Sequence, residues 1–158
     1  MAAKGSKAKK DTQRKLTAIL CADVVGYSRL MGADEEATIE TLTAYRKVFT
    51  SKIKNHRGRV VDAKGDAILA DFSSVVDAVN GAVEIQRELA EQNTELSDDR
   101  RMDFRIGINL GDVIVKDDAI YGDGVNVAAR LEALAEPGGI CISRPLFDQV
   151  ESKLDLQC

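Results

Sequence analysis

The chain has 158 residues, 44% of them apolar and 30% charged, with three cysteines, two prolines and twelve glycines. That length supports one domain around one core, and the composition excludes a collagen-like chain, a disulfide scaffold and wholesale disorder. The formal charge of −4 is unevenly spread: residues 1–15 hold Lys4, Lys7, Lys9, Lys10, Arg14 and Lys15 against Asp11, a net +5, which leaves −9 on the other 143 residues.

Residues 1–14 are therefore expected to form a basic, disordered leader ahead of a folded domain over residues 15–158. The leader has no apolar stretch of the kind a secretory signal needs. No apolar run approaches the roughly 20 residues of a membrane span. The folded part is acidic, which argues against nucleic acid as a partner. Cys21, Cys141 and Cys158 are odd in number and far apart, the pattern of reduced thiols in a cytoplasmic protein.

In chain order, residues 16–25 (LTAILCADVV) read as a buried strand that ends at Asp23 and breaks at Gly26. A turn over residues 26–31 leads to a helix over residues 35–55. Asp34 is its cap, and Ile39, Leu42, Tyr45 or Arg46, Phe49 and Ile53 form its apolar stripe. Residues 59–64 and 67–72 read as two strands joined by the tight turn Lys64-Gly65-Asp66. Ser73 or Ser74 caps a second long helix through about residue 95. Residues 103–115 alternate as a long strand in which Gly107 and Gly111 mark bends or close approaches. Residues 124–136 form a helix, residues 140–143 a short strand, and Pro145 opens a last helix. This order predicts an α+β fold: a ferredoxin-like βαββαβ sheet with helices packed on one face.

Two acids stand out in this frame. Asp23 ends an apolar strand and Asp66 sits in a hairpin turn, and the βαββαβ topology brings both to one sheet edge. Two adjacent carboxylates repel unless one is protonated or a cation bridges them. Oxygen-only ligation of this kind suits Mg2+ or Mn2+ held together with substrate phosphates. The plainer reading makes Asp66 a turn former and Asp23 a helix cap. After Asp23 the chain turns at Gly26, where backbone N–H groups are placed to cradle a phosphate; no P-loop pattern occurs anywhere. Asn126 and Arg130 lie four apart on one helix face, suited to a sugar oxygen and a phosphate or, more simply, to pairing with Glu132 or Glu136. The lone histidine, His56, reads as a helix C-cap, and Cys21 as core filling.

Four segments in this order, ADVVGYS, KGDAILADF, FRIGINLGDVIV and YGDGVNVAARLE, closely resemble the catalytic domain of class III nucleotidyl cyclases of the bacterial, short-arm kind. The resemblance covers residues 14–156. It implies an adenylate cyclase that converts ATP to 3′,5′-cyclic AMP and pyrophosphate in intracellular signalling, at composite sites between two head-to-tail copies of the domain. One copy supplies Asp23, the backbone at Val24, and Asp66 to two Mg2+ or Mn2+ ions. The other supplies Asn126 and Arg130. The backbone at Gly26, Tyr27 and Ser28 lines the phosphates. Asp62, Lys64, Gly65, Ala119 and Tyr121 fall where the family contacts substrate.

The sequence departs from the family's adenine-reading pattern at Asp62, where a Lys is usual, and at Ala119, where a side-chain acceptor is usual. Ala119 offers no side-chain hydrogen bond, so discrimination between purines is expected to be weak. Asp62 suits a guanylate cyclase. Lys64 shares the strand face of Asp62 by period two and is expected to pair with Asp62 or Asp66. The family's further strand pair, with a triphosphate-binding Lys, does not occur before Cys158. These departures leave two alternatives, a catalytically weak nucleotide-binding regulatory module and a guanylate cyclase.

Overall fold

The computed structural model describes residues 12–153. Its strands are β1 (Thr12–Val24), β2 (Gly58–Lys64), β3 (Ala67–Phe72), β4 (Phe104–Lys116), β5 (Ala119–Tyr121) and β6 (Ile140–Ile142). Its helices are α1 (Tyr27–Ala33), α2 (Glu35–Asn55), α3 (Val75–Asn93), α4 (Asp123–Leu134) and α5 (Arg144–Val150).

The sheet runs β2-β3-β1-β4-β5, with β6 added parallel to β4. All other neighbours are antiparallel. This is the expected α+β core, with the first strand central. The helices start where the sequence supplies caps. The Asp34 carboxylate accepts from the Ala37 N–H at 3.0 Å, and the Ser74 hydroxyl accepts from the Asp77 N–H at 3.2 Å. Glu35 and Glu36 in the first turn of α2, and Lys52 and Lys54 in its last, oppose the helix dipole. His56 is the C-cap residue of α2, as expected, and its ring lies 2.9 Å from Glu84.

The larger core packs α2, α3 and α5 on one face of the sheet. There Leu20, Phe72, Phe104 and Ile106 meet Phe49, Ile53, Ile85 and Leu146, all fully buried. Alternate residues of the same strands face the other way: Ile19 and Cys21 of β1 join Val113, Ile120 and Ala128 in a second, smaller cluster.

Four details differ from expectation. Residues 27–33, where a turn through residue 31 was expected, form the helix α1. Residues 12–14, assigned to the leader, are strand: Thr12, Gln13 and Arg14 pair with Lys116, Val115 and Ile114. The long β4 supplies backbone partners there whatever the side chains. Residues 1–11 lie outside the described residues, as does Cys158. The three-residue β5 was too short to show a period. Finally, α4 does not join the other helices; it crosses the opposite face. Two glycines permit that approach. A Cβ at Gly107 of β4 would stand 2.2 Å from the Glu132 backbone nitrogen of α4, and one at Gly124 of α4 would stand 2.6 Å from the Asp112 carbonyl of β4.

Candidate active site

Asp23 and Asp66 come together as the topology requires. Ala22 of β1 pairs with Ile68 of β3, which sets Asp66 beside Val24. The Val24 N–H donates to Asp66 Oδ2 at 3.1 Å. Gly65, at φ 57°, makes the left-handed turn that delivers Asp66, and the Arg46 guanidinium of α2 donates to the Gly65 carbonyl. Asp23 pairs across the ladder with Arg105 of β4.

Two members of this cluster were not found from the sequence. Glu132 of α4 lies beside Asp23, close enough for each carboxyl to shift the other. Burial, then the negative charge of Asp23, pushes the Glu132 carboxyl up to about 7. Asp23 is also raised, chiefly by burial, with Asp66 adding to it and the contacts to Glu132 and Arg105 opposing it. Arg105 is the second addition, and its buried Nε has no hydrogen-bond partner among the described residues. The signal for Glu132 was its i+4 spacing from the buried Ala128; Arg105 becomes visible only once the β1–β4 register is known.

Three carboxyls around one guanidinium are short of positive charge, and every donor is an oxygen. That set fits a hard divalent cation. No group of three or more potential ligands among the described residues is arranged to hold a metal ion by itself. Two carboxylates thus fit a cation shared with substrate phosphates rather than a closed protein cage.

Gly26, at φ 66°, is the N-cap of α1 and makes no side-chain capping bond; Tyr27 and Ser28 open that helix. Asp62 and Lys64 line one cavity of about 200 Å3 with Cys21, Val125 and Glu132. The expected pairing of Lys64 with Asp62 or Asp66 does not form among the described residues, where no ion pair involves Lys64; Lys64 is exposed on the open side of β2. Burial pushes the Cys21 thiol up to about 12, consistent with core filling. Ala119 and Tyr121 lie on β5, with Tyr121 exposed beside a second cavity of about 480 Å3 that Arg14 and Gly122 also line. Asn126 and Arg130 share the exposed face of α4, away from the acids. Neither makes a side-chain hydrogen bond or ion pair among the described residues, so the simpler pairing of Arg130 with Glu132 or Glu136 is not formed.

The family profile described as adenylate and guanylate cyclase catalytic domain matches residues 10–156. The chain belongs to this family. A Rhizobium meliloti (strain 1021) protein named "Putative adenylate cyclase 3" is 46% identical over 150 residues, which is 94% of this chain and 26% of that protein. A Streptomyces coelicolor adenylate cyclase is 28% identical over 82% of this chain and 32% of its own length. The domain thus spans between a quarter and a third of these two relatives. Among solved structures, an adenylate/guanylate cyclase/hydrolase from Silicibacter pomeroyi superposes with a TM-score of 0.84 at 39% identity, covering 90% of this chain and 84% of that one. The adenylyl cyclase CyaB from P. aeruginosa shares the fold, with a TM-score of 0.80 at 23% identity over 89% of this chain and 83% of that one.

Proposed function

We propose that this cyclase domain converts ATP to 3′,5′-cyclic AMP and pyrophosphate at sites shared between two head-to-tail copies. The observation that carries the reading is a separation. The carboxylates Asp23 and Asp66 converge at one sheet edge, while Asn126 and Arg130 stand exposed on the outer face of α4. A second copy brings the two halves together.

Asp23, Asp66 and the backbone at Val24 hold two Mg2+ or Mn2+ ions in this reading. When bound, the ions supply a more acidic ribose hydroxyl and charge neutralisation on the triphosphate. The remaining work falls to the chain itself. Asn126 orients the ribose so that its 3′-oxygen faces the α-phosphorus. Arg130 of the same copy offsets charge that grows on the α-phosphoryl oxygens. Arg105, beside Asp23, offers a second guanidinium to the phosphates, and the backbone at Gly26, Tyr27 and Ser28 receives their oxygens. The new bond joins the 3′-oxygen to the α-phosphorus; the bond to the bridging oxygen breaks, pyrophosphate leaves, and the hydroxyl proton passes to solvent. Asp62, Lys64 and Gly65 of one wall, and Ala119 and Tyr121 of the other, border the purine.

The relatives named as adenylate cyclases favour ATP. Asp62, an exposed acid in the cavity of β2, favours guanine N–H groups and keeps GTP as the second substrate to test. The test is product formation by the full chain with Mn2+ and ATP or GTP, with Asp66→Ala as control. Metal-dependent cyclic AMP lost in D66A supports the proposal; cyclic GMP moves it to the guanylate activity. No cyclic product with nucleotide still bound leaves a nucleotide-binding regulatory module and refutes it.

A further inference from the structure

The strands β2 and β5 are the two ends of the hydrogen-bonded order and share no ladder. Yet the sheet curls so far that they meet: Val61 of β2 packs into the same small cluster as Ile120 of β5. One side chain spans the gap. Arg59 of β2 grips Asp71 of β3 with Nε to Oδ1 at 3.3 Å and Nη2 to Oδ2 at 3.1 Å. Its remaining arm, Nη1, donates to the Asp118 carbonyl at 3.2 Å and lies 3.6 Å from Asp118 Oδ1. Asp71 is the buried anchor, with its side chain 5% exposed.

The far end of this clasp is a tight turn. Lys116 and Ala119 pair across the β4–β5 hairpin, and the two residues between them, Asp117 and Asp118, have φ of 51° and 67°. That is the conformation a two-residue hairpin favours, but Asp pays a steric penalty there that Gly does not. Such a turn persists where its surroundings over-determine it. Ala119, next along the chain, has no side chain with which to read a base. Discrimination at this position rests on where its backbone stands.

We propose that Arg59 is a positioning residue for nucleotide recognition, holding the Asp118–Ala119 backbone at a fixed distance from Asp62 and so fixing the width of the purine site. The inference rests on the cyclase reading above and deepens it. The two walls, Asp62 on β2 and Ala119 on β5, belong to opposite edges of the sheet, and across the gap between those edges the clasp adds a polar tie to the apolar contact of Val61 with the Ile120 cluster. A fork of five donors is what the task requires: two grip the buried carboxylate and a third reaches the turn. Lys has one point of charge and cannot do both.

The test is Arg59→Lys in the full chain. It keeps a cation against buried Asp71 and gives up the reach to Asp118. Thermal melting checks the fold; calorimetry reads binding of 3′-deoxy-ATP and 3′-deoxy-GTP, which cannot cyclise; and kinetics with Mn2+ separate KM from kcat. The expected result is a folded R59K protein with KM for the preferred nucleotide raised about fivefold or more, kcat within about twofold, and a matching loss of deoxynucleotide affinity. If R59K fails to fold, the double variant Arg59→Ala/Asp71→Ala, which leaves no buried charge, replaces it with the same expectation. Unchanged KM and binding in a folded variant, or a fall in kcat alone, overturns the clasp while leaving the cyclase reading intact. A wild-type chain that binds neither deoxynucleotide and forms no cyclic product overturns both.

Discussion

Gly107→Ala is the sharpest test of how α4 is held. The added Cβ would lie 2.2 Å from the Glu132 nitrogen and 2.5 Å from the Ala128 carbonyl oxygen, both backbone atoms of α4. Neither can swing aside as a side chain does, so helix and strand must part by about 1 Å to restore ordinary contact. Overpacking of this kind costs about 1–3 kcal/mol, and a backbone collision belongs at the upper end. At about 2–4 °C per kcal/mol for a domain of this size, melting falls by about 6–12 °C. The same shift moves Asn126 and Arg130, which ride on α4, and a misplacement of about 1 Å costs about 100-fold in turnover. Gly32→Ala is the control: a Cβ there meets nothing within 4 Å, so the change removes chain entropy from the unfolded state and adds about 0.4–1 kcal/mol. Scanning calorimetry and a cyclase assay read both variants. A G107A protein that melts within about 2 °C of wild type refutes the close contact.

Two further changes probe the interior. Glu132 is raised to about 7 from 4.5 in the folded, metal-free protein. The folded state therefore binds the extra proton between those values, and stability falls as pH rises through that window. Glu132→Gln flattens the dependence and, after allowance for solvent screening, gains about 1 kcal/mol at pH 8 in EDTA; urea midpoints at pH 5 and pH 8 that move in parallel for both proteins contradict this. Asn93, buried at the end of α3, accepts from the Tyr45 hydroxyl at 2.6 Å and the Met102 N–H at 3.1 Å and donates to the Met102 carbonyl at 3.1 Å. Asn93→Ala orphans these partners and costs about 2–4 kcal/mol by urea unfolding; a loss below about 1 kcal/mol means water replaces the amide.

What the sequence made legible follows from period and order. Asp23 and Asp66 could be brought together because β1 must lie centrally in a βαββαβ sheet, and the Lys64-Gly65-Asp66 turn fixes where β3 begins. Asp34 and Ser74 mark helix starts by their side-chain chemistry, which is local. The ribbon over residues 12–14 was hidden because its side chains are polar, while its stability comes from backbone pairing with β4. Ala119–Tyr121 carries too few residues to show alternation. Arg105 and Arg59 act across strands, and their partners depend on register and on the curl of the sheet, neither of which is a local property.

The segment Asn126-Val-Ala-Ala-Arg-Leu-Glu132 holds the remaining lesson, because its two faces serve two purposes. Asn126 and Arg130 are four apart and share a face. Ala128 and Glu132 are also four apart, offset by two residues, and so lie about 200° around the helix. The second pair faces the sheet: Ala128 is fully buried and Glu132 lies beside Asp23. The first pair faces away and meets no partner among the described residues. A helix placed among the other helices would have to bury its Asn and Arg or point its Glu into an apolar core. On the opposite face, beside Asp23, the Glu meets a carboxyl and a guanidinium, and the outward pair is left for another molecule. In the proposed dimer, α4 therefore abuts the metal acids of its own copy while serving the substrate held by those of the other.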